Sequence, residues 1–372
     1  MTGIGNVLGY LSGYVNLPKI MPFFGNTQFK VLCVIASIAL GGTLAISCLY
    51  VKERDPREEG PPAPEKGGVI GFFRQVYKSI GRLPPQIRSV CIVQFFAWIG
   101  WFPFLFYITT YIGEICRSSF SNYFMTPRTL THQDVTPFLD QKPDLTKEQI
   151  DQLWEKATRV GTFALLIFAI TSFSSNIFLP FFVAPNCLNK KAPRHPILSR
   201  LVIHWLTLRR AWLLSHILFA ATMWATLFVH STRQATTLVG VVGISWALTL
   251  WAPFALISAE ISKRETIRRG QLHDTSRPYP ITGDGEDQAG VILGLHNVAI
   301  AAPQIIATLG SSFVFRLLQK GRGESGDDSV GWVLRLGGLA ALAAAWMTTK
   351  VAEEGEMDEG PEGFLPITND ER

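Results

Sequence analysis

One face of an otherwise charge-free stretch carries an amide and two indoles. Gln94, Trp98 and Trp101 fall at i, i+4 and i+7 within residues 89–113, a spacing that stacks side chains along one side of an α-helix. Two flat aromatic rings beside an amide have the chemistry of a carbohydrate wall. The C–H faces of a sugar ring lie on the indoles while its hydroxyls bond the amide. The same indoles serve equally as packing groups or as anchors at a membrane interface. Pro103, two residues further on, leaves a backbone carbonyl without its helical donor and kinks such a helix.

A second set follows at His296, Asn297 and Gln304. Asn297 and Gln304 are seven residues apart and share a helical face, with Pro303 between them. His296 can titrate near neutral pH and pass a proton, or it can be held by a neighbouring carbonyl. Glu114 and Glu260 close two apolar stretches and read as surface carboxylates. Asn176 with Ser172, Ser174 and Ser175, and Ser245 and Ser258 elsewhere, read as hydrogen-bonding groups between helices. Enzyme signatures of the HExxH, GxSxG or Walker type do not occur, and His195, His204, His216 and His230 lack metal-ligand spacing. Five cysteines, Cys33, Cys48, Cys91, Cys116 and Cys187, are odd in number without a CxxC pair. They imply neither a disulfide framework nor a metal site. The expectation is a protein that is not an enzyme and takes no cofactor.

These residues belong to segments that must sit in lipid. Only 17% of the 372 residues are charged, against roughly 25% in soluble proteins, and the mean hydropathy is +0.22. Charges are nearly absent from 31–51, 89–113, 160–185, 211–232, 234–259 and 288–315. Each run exceeds the roughly 18–20 apolar residues that cross a hydrocarbon core about 30 Å thick. A shorter run at 2–18 repeats Gly5, Gly9 and Gly13, small residues that let two helices approach closely. It has no basic leader segment and reads as a span rather than a signal peptide. A last run at 330–349 contains Arg335, near enough to its start to snorkel to the surface. The expected fold is an all-α membrane protein of about eight spans.

Basic residues fall on alternate loops. Segments 52–88, 186–210 and 260–287 hold eight, six and five Lys and Arg, whereas 17–30, 231–233 and 316–328 hold two, one and three. Segment 114–159 holds six basic residues but also seven acids. The positive-inside rule puts the first group and both termini in the cytoplasm. The net charge of +5 is thereby a loop-by-loop topology signal and gives no sign of nucleic-acid binding. The predicted layout is two helices over 1–51, a cytoplasmic linker over 52–88, a six-helix half over 89–351 and an acidic tail over 352–372. Within the linker, Gly60-Pro-Pro-Ala-Pro64 has the composition of an extended spacer. Apolar spacing predicts an interfacial amphipathic helix over His195–Arg210 and another helix over Thr146–Arg159 running into the fourth span. Thr146 and Gln149 suit a capping box at its start.

The ordered motifs resemble a known family. Trp98-Ile-Gly-Trp-Phe-Pro-Phe-Leu105 resembles the WIGWFPF signature of sucrose transporters, in the glycoside–pentoside–hexuronide cation symporter group of the major facilitator superfamily. Gly5-Asn-Val-Leu-Gly-Tyr10 is similar to that family's fifth helix, Pro253-Phe-Ala-Leu-Ile-Ser258 to its tenth, and Gly294-Leu-His-Asn-Val-Ala-Ile-Ala-Ala-Pro-Gln304 to its eleventh. The likeness is strongest to fungal members. It implies a partial major facilitator fold of two plus six helices, lacking the first four. It also implies proton-coupled uptake of sucrose or another glucoside by alternating access, in a plasma or vacuolar membrane, with the proton as coupling ion. Plant members carry an acidic DTDW where Phe106-Tyr-Ile-Thr-Thr-Tyr111 has no carboxylate, and Glu114 aligns with the acid of their following WMGRE. The implied roles are substrate binding for Gln94, Trp98, Trp101, Asn297 and Gln304, and proton coupling for His296 and Glu114. The expected partners are a small sugar and the lipid bilayer. A different class of function, a non-transporting membrane scaffold or sugar sensor, fits the same spans.

Overall fold

The computed structural model describes residues 2–51, 80–81, 83–124, 147–184, 200–268, 285–320 and 327–353. In chain order the helices are α1 (Thr2–Tyr14), α2 (Leu17–Ile20), a 3-10 turn (Pro22–Phe24), α3 (Gln28–Tyr50), α4 (Pro85–Phe124) and α5 (Lys147–Phe182). They continue as α6 (Leu208–Ala225) with a 3-10 turn (Thr226–Phe228), α7 (Thr232–Arg268), α8 (Gly285–Ala301), α9 (Pro303–Leu318) and α10 (Ser329–Thr348). The fold is all-α, as predicted. Among the described residues seven helical stretches are long and apolar enough to cross a membrane: α3, α4, α5, α6 with its 3-10 turn, α7, α8 joined to α9, and α10.

The run at 2–18, expected to be shorter than the others, forms two helices. Its 13-residue helix α1 is about 20 Å long, and Pro18 seeds a separate first turn of α2. The half-buried stripe of α1 runs through Gly3, Asn6, Tyr10 and Gly13. Gly3 abuts Phe173 and Gly13 abuts Thr162 of α5, while Gly5 and Gly9 meet open space. A strict four-residue repeat drifts around a helix of 3.6 residues per turn, so only Gly13 of the predicted series reaches the contact. Gln28 ties α3 back to α1. Its amide nitrogen donates to the carbonyls of Val15 (2.8 Å) and Ser12 (3.0 Å), and its oxygen accepts from Leu17 N–H (3.1 Å).

Two further segments bear on the expected layout. The helix predicted from 146 and the fourth span form one continuous α5, with Thr146 itself outside the described residues. The amphipathic helix predicted over 195–210 is not formed in its described part: residues 200–207 are a turn, and α6 starts at Leu208. Ile203 N–H donates to Phe182 O and Ala184 N–H to Leu206 O, both at 2.9 Å, around a parallel bridge between Val183 and Ile203. Those bonds to the end of α5 satisfy backbone groups that a helix would have paired internally. The linker residues 52–79, the loop 269–284 and the tail 354–372 lie outside the described residues.

Helix α4 is the axis of the packed body, in contact with α5, α7, α8, α9 and α10. Its buried residues Ile87, Val90, Ala97, Trp101, Phe104 and Ile108 recur at three, four and seven, the period of a helix enclosed along one broad stripe. At Gly100 this helix touches α10 backbone to backbone, since a Cβ there would lie 2.5 Å from the Gly337 carbonyl oxygen. The glycine of the WIGWFPF motif is therefore a packing requirement that fixes Trp98 and Trp101 in register with α10.

Helix ends group as the charge count requires. Gln86, Thr207, Arg209, Arg210 and Glu353, from segments predicted inside or at its edge, meet at one end. Tyr111, Thr226, Asp328 and Arg335, from the opposite ends, meet at the other.

Candidate substrate-binding site

Gln94, Trp98 and Trp101 all point into the body from α4, with exposures of 1%, 9% and 1%. Gln94 Nε2 lies 3.5 Å from Nε2 of His296 on α8, which is fully buried. The amide donates to the imidazole when the ring carries its proton on Nδ1. Phe254 of α7 packs edge-on to His296 with ring centroids 4.8 Å apart. Three helices thus converge on one polar pair in an apolar setting.

The pair is incompletely satisfied. Gln94 Oε1, His296 Nδ1, Trp98 Nε1 and Ser245 Oγ are all buried and without a hydrogen-bond partner. Such groups cost free energy unless something bonds them. An acceptor, two ring nitrogens and a hydroxyl form the inventory that a polyhydroxylated ligand satisfies.

Helix α7 contributes an element that the motif reading did not single out. Trp246 packs edge-on against Trp101 (4.9 Å between ring centroids) and Trp98 (5.8 Å), and Trp101 Nε1 donates to Thr249 Oγ1 at 3.1 Å. Trp246, Thr249 and Pro253 are spaced at three and seven, a facing counterpart to Gln94, Trp98 and Trp101. That spacing was the available signal. Ser245, read as an interhelical group, bonds nothing through its hydroxyl, and Asn176 bonds the Ser172 carbonyl of its own helix at 2.9 Å.

The remaining candidates lie elsewhere. Asn297 and Gln304 are both exposed and are not joined to the Gln94–His296 pair. Ala302, between α8 and α9, keeps helical dihedrals (φ −58°, ψ −39°) and its N–H donates to Val298 O at 2.9 Å, so the two residues do share a face, and it is the exposed one. Glu114 is half-buried twenty residues beyond Gln94, about 30 Å along the axis of α4. It stands one turn after Tyr111, whose hydroxyl donates to the Thr226 carbonyl at 3.0 Å. Glu260 pairs with Arg264 of its own helix at 2.7 Å. Arg335, expected to snorkel, is 2% exposed and forks onto the Asp328 carboxylate while its Nε donates to Thr226 Oγ1 at 3.2 Å. Among the described residues no group of His, Cys, Asp and Glu is arranged to hold a metal ion.

Known proteins resemble this chain along much of its length. The chain is 33% identical over 406 residues to the general alpha-glucoside permease of Schizosaccharomyces pombe (strain 972 / ATCC 24843), covering 93% of this chain and 65% of that one. It is 34% identical over 173 residues to the MFS-type transporter cctQ of Talaromyces islandicus, covering 44% of this chain and 64% of the relative. The sucrose transport protein SUT1 of Oryza sativa subsp. japonica is 27% identical over 372 residues, covering 91% of this chain and 57% of its own. The chain thus resembles permeases and transport proteins over most of its own length. No protein-family model matches it. The relatives are permeases and transport proteins rather than enzymes, in keeping with a sequence free of catalytic signatures. The chain spans somewhat less than two thirds of the length of the curated relatives it matches.

The prolines around the site are informative. Pro103 on α4, Pro253 on α7 and Pro303 at the start of α9 each follow a site residue by one or two turns. Each removes one backbone donor and frees the carbonyl four residues earlier. The carbonyl freed by Pro253 is that of Thr249. Helices α4 and α7 thus each carry an internal proline near the Gln94–His296 pair, and Pro303 begins the helix that follows α8.

Proposed function

We propose that the protein carries sucrose or another glucoside across a membrane together with protons, by alternating access. The observation that carries this reading is the buried, incompletely bonded set of Gln94, Trp98 and His296, walled by indoles and framed by helices with internal prolines. The relatives' identity as α-glucoside and sucrose carriers supports it. Gln94 and Trp98 bind the sugar, with Trp101 backing the wall and Asn297 and Gln304 on the exposed side of the same helix pair. His296 and Glu114 are the groups through which proton movement is coupled. The membrane is the plasma membrane or that of the vacuole.

The test is uptake of labelled sucrose and maltose into proteoliposomes holding the full chain, with and without an imposed pH gradient. Saturable uptake driven by an inward proton gradient, and lowered by Gln94→Ala and Trp98→Ala, is the expected result. Uptake indifferent to the gradient removes the coupling, and His296→Ala then has no effect on it. Saturable sugar binding without any uptake marks a sensor or scaffold instead.

A further inference from the structure

We infer that α7 supplies the ring on which the sugar rests: Trp246 is the stacking platform of the site, and Thr249 is a positioning residue that holds it through Trp101. This rests on the carrier reading above and names residues and a substrate geometry within the same site.

Trp101 has no face to offer. Phe219 covers it at 4.2 Å between centroids, Trp246 and Phe104 meet it edge-on at 4.9 and 5.7 Å, and only 1% of the residue is exposed. Trp98 is nearly as enclosed, between Phe102 at 5.2 Å and Trp246 at 5.8 Å. Of the three indoles Trp246 is the one that is only partly buried. It is held from two further directions by Trp101 and by Phe168 of α5, 6.1 Å away. A partly buried ring fixed by three aromatic neighbours is preorganised, so stacking on it costs little side-chain entropy.

Thr249 sets the tilt of that surface. Its hydroxyl donates to the Ser245 carbonyl at 2.9 Å, which leaves its lone pairs to accept the Trp101 indole N–H at 3.1 Å. Both groups are 1% exposed, so the bond is not exchanged for water. Loss of the acceptor strands a buried indole N–H and frees Trp101 to rotate against Trp246. The polar atoms available near the platform are the unpartnered Ser245 hydroxyl, one residue before it, and the Trp98 indole N–H. An indole N–H near an aromatic face suits a pyranosyl ring with equatorial hydroxyls. Such a ring presents only C–H bonds to the indole and its hydroxyls sideways. An open-chain polyol has no such face.

The experiment measures concentration-dependent uptake of labelled sucrose and maltose by the full chain in proteoliposomes, with binding to the detergent-purified chain measured in parallel. Thr249→Val keeps shape and removes the acceptor; we expect KM to rise roughly three- to tenfold with the maximal rate within about twofold. Thr249→Ser restores KM. Trp246→Phe raises KM and Trp246→Leu abolishes saturable binding, while sorbitol fails to compete in any form. If Thr249→Val does not fold, Trp246→Phe with its sugar-dependent change in tryptophan fluorescence carries the test: the change persists in the wild type and disappears in the variant. Wild-type KM in Thr249→Val, or an unaltered fluorescence response in Trp246→Phe, overturns the inference while the carrier reading stands. A wild-type chain that neither binds nor moves sugar overturns both.

Discussion

Gly100 of α4 and Gly337 of α10 bring their backbones into contact. A Cβ on Gly100 would lie 2.5 Å from the Gly337 carbonyl oxygen, and one on Gly337 would lie 3.0 Å from that of Gly100. Gly100 sits between Trp98 and Trp101, so the helix that carries the indoles is seated where a side chain would push it away. Gly100→Ala should lower stability by about 1–3 kcal/mol, the usual cost of overpacking, and weaken sugar binding as well. Gly337→Ala, with the longer approach, should do less of both. Thermal unfolding in detergent alongside sugar binding checks the pair. Equal tolerance of alanine at the two positions would mean that the helices are not seated on these glycines.

Arg335 places a second constraint at the far end of the same two helices. Its guanidinium forks onto Asp328 and donates to Thr226, whose carbonyl in turn accepts the Tyr111 hydroxyl of α4. A Cβ on Gly331 would collide with Asp328 Oδ1 and lie 2.9 Å from an Arg335 nitrogen, so the fork depends on a glycine midway along it. Asp328→Ala should destabilise, because it leaves a charge that is almost fully buried without its partner. The Asp328 side chain is itself 53% exposed. The loss should therefore fall below the 3–5 kcal/mol typical of breaking a fully buried pair. Gly331→Ala should reproduce much of it without touching either charge. Unfolding midpoints of the two variants, measured in one detergent, decide this.

How much of this was legible in the sequence follows from the range of each signal. Spans declare themselves locally, since a run of apolar residues long enough to cross lipid needs no knowledge of its neighbours. The all-α fold and the positions of α3 to α7 and α10 were accordingly readable. Gln94, Trp98 and Trp101 are legible because a strict i, i+4, i+7 face survives in a helix whose only internal proline, Pro103, comes after it. Asn297 and Gln304 share a face for the same reason, since Ala302 keeps helical dihedrals, but which face of that helix pair is buried depends on neighbours that the spacing does not record. The turn at 200–207 was misread because its apolar spacing is helical, whereas the bonds that decide its path come from Phe182 and Ala184, distant in sequence. Trp246 and Thr249 carry the same kind of spacing as the α4 set. Their importance depends on Trp101 arriving opposite them, 148 residues away in sequence, and nothing local records that.

Acid should weaken the start of α10 through Asp327. Its carboxylate accepts the backbone N–H groups of Ser329 (2.9 Å) and Lys320 (3.3 Å). Partial burial alone would raise its pKa. Hydrogen bonds from Ser329 and Lys320, with the charge of Lys320, outweigh that and hold it below the ordinary 3.8. A folded-state pKa below the unfolded one contributes stability at pH values above the unfolded pKa. That contribution is lost as pH falls through the folded value. Wild-type stability should thus fall in the region below about pH 4, and Asp327→Asn should flatten that part of the profile while being less stable near neutrality. Unfolding midpoints from pH 7 to pH 2.5 for both proteins give the comparison. Parallel profiles would show that the carboxylate is not held in this way.

At the opposite end, the residues following α10 are clamped onto two other helices. Glu353 accepts from Arg209 (3.2 Å), Arg210 (3.1 Å) and the Thr207 hydroxyl (2.9 Å), and Thr207 also caps α6 by accepting Arg210 N–H. Gln86 at the start of α4 makes a two-way pairing with residue 352, donating to its carbonyl and accepting its N–H, each at 3.1 Å. Between them Val351 is fully buried, and its carbonyl accepts from Arg209 at 2.9 Å. The ion pairs are only partly shielded, with side chains 17–37% exposed. An Arg209–Glu353 double-mutant cycle should therefore return about 1 kcal/mol or less, shrinking as salt is raised. Gln86→Ala removes two hydrogen bonds to one peptide and loses about 1 kcal/mol for each, with little dependence on salt. Clamp loss should expose the chain beyond 350 to protease while α10 itself stays protected. If Gln86→Ala and Glu353→Ala leave cleavage after 350 as slow as in the wild type, the contacts do not hold the segment. If Gln86→Ala alone frees it, the amide pairing rather than the arginines fixes where α10 ends.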